Sequence, residues 1–122
     1  METVNKKILL VEDDKVNQLI ATKLLKSLGC QIEFAENGQV AIEQVKNNHY
    51  DLVFMDIHMP VLNGIEATEQ IREFNKDIYI IALTASILED EVQAYYQAGM
   101  NDVLSKPINK IRLNEKLIAY SH

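Results

Sequence analysis

Six residues of this 122-residue chain carry groups that do chemistry and directly follow β-rich apolar runs: Glu12, Asp13, Asp14, Asp56, Thr84 and Lys106. Singly, each has a bland explanation: Asp14 as a helix cap, Thr84 as a turn hydroxyl, Lys106 as a solvated cation. Jointly they suggest more, because independent caps need not converge on one edge of a sheet. Carboxylates about 4 Å apart repel by about 4 kcal/mol at an effective dielectric of about 20, so a cluster of them calls for a cation. Hard oxygen donors in small number favour Mg²⁺, which keeps several waters and bridges carboxylate to phosphate. A magnesium ion, the Lys106 ammonium and the Thr84 hydroxyl together make a set that neutralises moving phosphoryl oxygens. Asp56 then stands as the nucleophile, ionised at neutral pH and able to form a labile acyl phosphate.

Positioning these groups requires a particular frame. The runs KILLVE, CQIEFA, DLVFMD, IYIIALT and DVLSK alternate with five helix-length segments. That alternation predicts a doubly wound α/β fold, a parallel sheet with helices on both faces. Such sheets present ligand sites at the carboxyl ends of their strands, where the six residues stand. Ile8 to Val11 and Leu52 to Met55 are apolar throughout and belong in the middle of the sheet; the alternating second run suits an edge.

Helix 1 is read from Val16, Ile20, Leu24 and Leu28, with Asp14 as N-cap, Gly29 as stop and that stripe facing the sheet. Helix 2 is expected from about Asn37 to Lys46, burying Val40, Ala41 and Val45, and helix 3 from Gly64 to Phe74, burying Ala67, Ile71 and Phe74. Ser86 and Glu89 have capping-box spacing for helix 4, which would turn Leu88, Val92 and Tyr95 inward and end at Gly99. Helix 5 is expected from about Asn109, with Leu113, Leu117 and Tyr120 inward.

An apolar share of 48% and a charged share of 25% describe an ordinary globule, expected to form one domain over residues 1–122. The net charge of −6 argues against direct nucleic-acid binding, which rests on Lys and Arg replacing counterions. No run approaches the length of a membrane span, and the lone Cys30 reads as a small core residue of a cytoplasmic protein. His49, His58 and His122 lack a second ligand at zinc spacing.

The segments LLVEDD, DLVFMDIHMPVLNG, ALTAS and LSKPI, in this order and spacing, resemble the receiver domain of two-component response regulators, and in finer detail the receivers of hybrid sensor histidine kinases. The resemblance covers essentially the whole chain and implies a flavodoxin-like sheet of order 2-1-3-4-5 with five helices, and a cytoplasmic, bacterial setting. It implies Asp56 as phosphoacceptor, Glu12 and Asp13 with Asp56 around Mg²⁺, and the backbone carbonyl of His58 as a further metal ligand. Thr84 would bind the phosphoryl group and Lys106 would pair with it. The donor would be a phosphohistidine on a histidine kinase or a histidine phosphotransfer domain, and the domain would catalyse its own phosphorylation and dephosphorylation.

His58 and Ser86 hold positions where the family tunes hydrolysis, with the helix cap the stronger reading for Ser86. Val103 departs from the usual aromatic three residues before the lysine, so an aromatic rotamer switch on the fifth strand cannot operate. The domain then either signals through the Thr84 loop to a partner on the helix 4, strand 5 and helix 5 face, or relays its phosphoryl group onward.

Three rivals carry less weight. An aspartyl-phosphate phosphatase would want a second acid two positions after the nucleophile, where this chain has His58. A nucleotide or flavin binder would want a glycine-rich first loop, and EDDK is acidic. A receiver that binds partners without phosphorylation would not need Asp13, Asp56, Thr84 and Lys106 intact.

Overall fold

The computed structural model describes residues 6–59, 61–85 and 87–120. Ten elements alternate along them: β1 (Lys7–Val11), α1 (Lys15–Ser27), β2 (Gln31–Ala35), α2 (Gly38–Asn47), β3 (Leu52–Asp56), α3 (Gly64–Phe74), β4 (Tyr79–Thr84), α4 (Glu89–Ala98), β5 (Asp102–Ser105) and α5 (Lys110–Ala119). The strands form one parallel sheet in the order β2-β1-β3-β4-β5, so the sequence-based expectation of a doubly wound sheet with β2 at an edge holds.

Side chains alternate between the faces of a strand, and the two cores follow from that. Leu9, Val11, Val53, Met55, Ile80 and Ala82 meet Ala41, Ile42 and Val45 of α2, Ala67 and Ile71 of α3, and Tyr95 of α4. Ile8, Leu10, Leu52, Phe54, Ile81 and Leu83 meet Ala21, Leu25 and Leu28 of α1 and Leu113 and Leu117 of α5. Every residue of β3 is buried, as its unbroken apolar run requires.

The helix ends are set by local chemistry. Asp14 accepts a hydrogen bond from Val16 N, Asn37 from Val40 N and Asn109 from Arg112 N. Asn63 and Glu66 form a reciprocal capping box at the start of α3. Gly99 closes α4 at φ 113°, a left-handed conformation open to glycine.

Two helices depart from expectation. In α1 the buried residues are Ala21 and Leu25, with Leu28 just beyond, while Val16 (64% exposed) and Ile20 (48%) face outward. The four-residue steps traced a line that winds off the buried face, because 3.6 residues make a turn. In α4 the N-cap is Leu88, which is exposed and makes no side-chain cap bond, so the helix begins later than a Ser86 cap would place it. Glu89, Asp90 and Glu91 fill its first turn, where acidic side chains favour the positive end of the helix dipole. Ser86 itself lies outside the described residues. Phe74, expected inward, is exposed at the end of α3.

In the loop after β3, Val61 has φ 73°, a left-handed conformation that a β-branched residue tolerates poorly, and its side chain is exposed. Val61→Asn is expected to raise unfolding stability by about 1 kcal/mol, measured by urea titration, because asparagine occupies this region more readily.

Candidate functional site

Sheet register brings the chemistry-bearing residues level. Val11 of β1 pairs with Met55 of β3, so Glu12 and Asp56, each the next residue, arrive side by side. Asp56 pairs with Leu83, which precedes Thr84; Thr84 pairs with Ser105, which precedes Lys106. A shift of one residue in any pairing would turn these side chains to the other face of the sheet.

Carboxylate oxygens of Glu12, Asp13 and Asp56 lie within 4.8 Å of one another, and among the described residues they form the group able to hold a metal ion. Glu12 (2% exposed) and Asp56 (3%) are buried, whereas Asp13 reaches solvent. Asp14 does not join them, since its side chain caps α1 at 3.0 Å from Val16 N. The loop carrying the acids is braced by Glu12 N donating to Ala35 O at 3.0 Å and Gln18 Nε2 donating to Glu12 O at 2.5 Å.

Lys106 closes the pocket, its Nζ 3.1 Å from Glu12 Oε1 and 3.2 Å from Asp56 Oδ1. Its backbone N donates to Thr84 O at 2.8 Å, tying the lysine to the end of β4. The next peptide bond, Lys106–Pro107, is cis.

Burial pushes the Glu12 carboxyl above its ordinary value, Asp56 adds to that, and Lys106 pulls the other way. For Lys106, burial alone would lower the pKa, but the Asp56 and Glu12 carboxylates outweigh it and hold the ammonium above the usual lysine value. The Lys106 ammonium thus spans two buried acidic groups, Glu12 and Asp56.

His58 is exposed, and its backbone N donates to Asp56 Oδ1 at 3.3 Å. Thr84 is buried, and its hydroxyl lies 3.2 Å from the hydroxyl of Tyr95, also buried, on α4. Sequence reasoning placed Tyr95 inward from helical spacing but carried no sign that its hydroxyl meets Thr84. Val103 is half-buried on β5, beside a cleft of about 440 Å³ whose walls include Ile87, Val92 and Tyr96. Ile20 of α1 lines the rim of the acidic pocket together with Asn17, Lys106, Pro107 and Ile108.

Fold and pocket together define the class, an α/β domain with a lysine-spanned carboxylate site at the carboxyl edge of a 2-1-3-4-5 sheet. The family model for the response regulator receiver domain matches residues 8–118, so the chain belongs to that family of two-component and phosphorelay signalling domains. Transcription factor SKN7 of Saccharomyces cerevisiae is 42% identical over 113 residues, 93% of this chain and 18% of the relative. Histidine kinase 5 of Arabidopsis thaliana is 35% identical over 149 residues, 99% of this chain and 16% of the relative. The chain thus spans less than a fifth of the length of either.

Among solved structures, the receiver domain of sensor histidine kinase PA1611 from Pseudomonas aeruginosa, with a magnesium ion in its active-site cleft, superposes with a TM-score of 0.89 at 38% identity. That match covers 95% of this chain and 97% of that one. The receiver of Ssk1 from Saccharomyces cerevisiae, crystallised with the histidine phosphotransfer protein Ypd1, gives 0.93 at 34% identity, covering 99% and 92%. Relatives this similar come from fungi, a plant and a bacterium, so the likeness does not carry the expected bacterial source.

None of the helices among the described residues is long and apolar enough to cross a membrane.

Proposed function

We propose that Asp56 is the phosphoacceptor of this receiver and that Glu12, Asp13, Asp56 and the backbone carbonyl of His58 hold Mg²⁺ beside it. The observation that carries this reading is the meeting of three carboxylates with the Lys106 ammonium at one strand edge. The donor set is all oxygen, which suits magnesium and disfavours softer metals. When bound, the ion offsets negative charge on the carboxylates and on the incoming phosphoryl oxygens.

The chain's own groups do the rest. An Asp56 oxygen lone pair forms the new O–P bond as the P–N bond of the donor phosphohistidine breaks, and the electron pair leaves on the imidazole nitrogen. Lys106, now paired with Asp56 and Glu12, keeps its protons and turns its ammonium to pair with the phosphoryl oxygens, and the Thr84 hydroxyl donates to one of them. Hydrolysis breaks the P–O bond with water, restoring the carboxylate and releasing phosphate. His58, exposed beside Asp56, is placed to modulate that step, a role that Ser86 shares by position in the sequence. The domain so read, residues 1–122, is a signalling module that catalyses its own phosphorylation and not a turnover enzyme.

The donor is a histidine kinase or a histidine phosphotransfer domain in the cytoplasm, and it docks on α1. Val16, Leu19 and Ile20 are exposed there, and Ile20 shares the pocket rim with Pro107 and Ile108. An apolar patch that reaches, through Ile20, the cleft lined by Glu12 and Lys106 gives a donor helix purchase without blocking the pocket. The face of α4, β5 and α5 remains for an output partner, or the phosphoryl group passes onward.

The test is direct. With Mg²⁺ and acetyl phosphate, the protein is expected to gain one base-labile phosphoryl group by intact-mass measurement, and Asp56→Asn none. An unchanged wild-type mass under saturating donor, or the same gain in Asp56→Asn, overturns the assignment.

A further inference from the structure

We infer that Tyr95 is a positioning residue for Thr84 and carries the state of Asp56 into α4, the task for which β5 has no aromatic side chain. This rests on the phosphoacceptor reading and adds how the site is read out. Tyr95 and Thr84 are both buried, 2% and 1% exposed, and their hydroxyl oxygens lie 3.2 Å apart. The bond joins the end of β4, one residue past the partner of Asp56 in the sheet, to the last turn of α4.

A threonine hydroxyl has one proton and two lone pairs. In the resting chain either hydroxyl can be the donor. A phosphoryl dianion on Asp56 offers only acceptor oxygens, so the Thr84 proton must turn to it. Thr84 can then only accept from Tyr95, which becomes the obligatory donor. The bond loses its freedom of direction and follows the Thr84 oxygen. Tyr95 leads that displacement into α4, because a buried hydroxyl does not give up its partner without cost.

The surroundings favour motion of α4 over α5. Helix α5 has a side-chain N-cap in Asn109 and is clamped to β5 by Lys116 and Tyr120 on the Asp102 carboxylate, at 2.5 and 3.0 Å. Helix α4 has no side-chain cap bond at Leu88 and borders the cleft beside Val103. Its C-terminal end is fixed by Arg72 Nε donating to Gly99 O at 2.8 Å. A helix both held and tethered to the reactive edge through its last turn pivots there and moves at its first turn, beside which Ile87 and Leu88 are exposed.

Beryllium fluoride, a stable mimic of the phosphoryl group, supplies the test on the full chain with Mg²⁺. In wild type, amide hydrogen exchange across Glu89–Ala98 is expected to change about tenfold on binding, and in Tyr95→Phe by less than about twofold with the mimic still bound. A tyrosine ¹³Cζ label reads the bond without any substitution: the Tyr95 resonance, assigned by its loss in Tyr95→Phe, moves when the mimic binds. An α4 response of equal size in Tyr95→Phe, or a Tyr95 resonance that stays in place, overturns the inference and leaves the phosphoacceptor reading standing. Failure of wild type to bind the mimic at Asp56 overturns both.

Discussion

Lys106→Met is expected to lower unfolding stability by about 2–3 kcal/mol at pH 7.5 and by much less at pH 4.5. Methionine keeps much of the apolar stem and removes the ammonium that now lies 3.1 Å from Glu12 and 3.2 Å from Asp56. Two buried carboxylates are left without their cation, and removing one member of a buried charge cluster costs far more than the cluster gains by forming. Glu12 already has its pKa raised, by burial first and Asp56 second, with Lys106 opposing. Loss of Lys106 raises it further. A carboxyl raised on folding contributes stability that is full below its unfolded value, here 4.5, and is lost as pH rises through the folded value. The deficit of the variant therefore opens above about pH 4.5 and grows toward neutrality. Urea titrations at the two pH values measure it. A deficit of equal size at both would assign the loss to packing of the lysine stem and not to charge. Millimolar Mg²⁺ is expected to narrow the gap at pH 7.5, since a divalent cation answers the same repulsion.

Which features of this molecule are legible in its sequence depends on the physics that sets each one. The pocket was legible because strand ends are visible as the last residue of an apolar run, and parallel winding sends all those ends to one edge. Glu12, Asp13, Asp56 and Lys106 needed no more than that. Helix faces were less legible. Val16, Leu19 and Ile20 are as apolar as Leu25, and nothing in hydropathy separates a residue packed on the sheet from one exposed beside the pocket rim. The start of α4 was misjudged because Ser86 and Glu89 have the spacing of a capping box, while the helix begins at Glu89, with three acids in its first turn. The bond between Thr84 and Tyr95 joins two residues by tertiary packing alone, and periodicity reports burial without reporting what a buried hydroxyl touches.

Gly64 carries the other large effect, and it shows the same limit from the opposite side. Its sequence context reads as a turn before a helix, a role many residues fill. In the structure its N donates to Ile57 O at 3.1 Å, and a Cβ built on it would collide with the backbone oxygen of Asp56 and stand 3.0 Å from Met55 Cγ. Met55 is fully buried, so neither neighbour can swing aside. Gly64→Ala must push α3 away from the sheet or displace the strand end that bears Asp56. Overpacking of this kind is expected to cost about 2–3 kcal/mol by urea titration. Phosphoryl uptake from acetyl phosphate is expected to slow by about 100-fold, since misplacing a reacting group by about 1 Å costs that much. Gly38→Ala is the matched control. A Cβ there meets Leu62 O at 2.5 Å and Ala67 Cβ at 3.0 Å, a comparable clash that falls on the α2 to α3 packing and not on the Asp56 carbonyl. It should destabilise the fold while leaving the uptake rate of the folded protein within about threefold of wild type. Equal slowing in both variants would mean that the rate follows general loosening. Slowing confined to Gly64→Ala would mean that the close approach of α3 to the end of β3 sets where the Asp56 carboxylate, the proposed phosphoacceptor, stands.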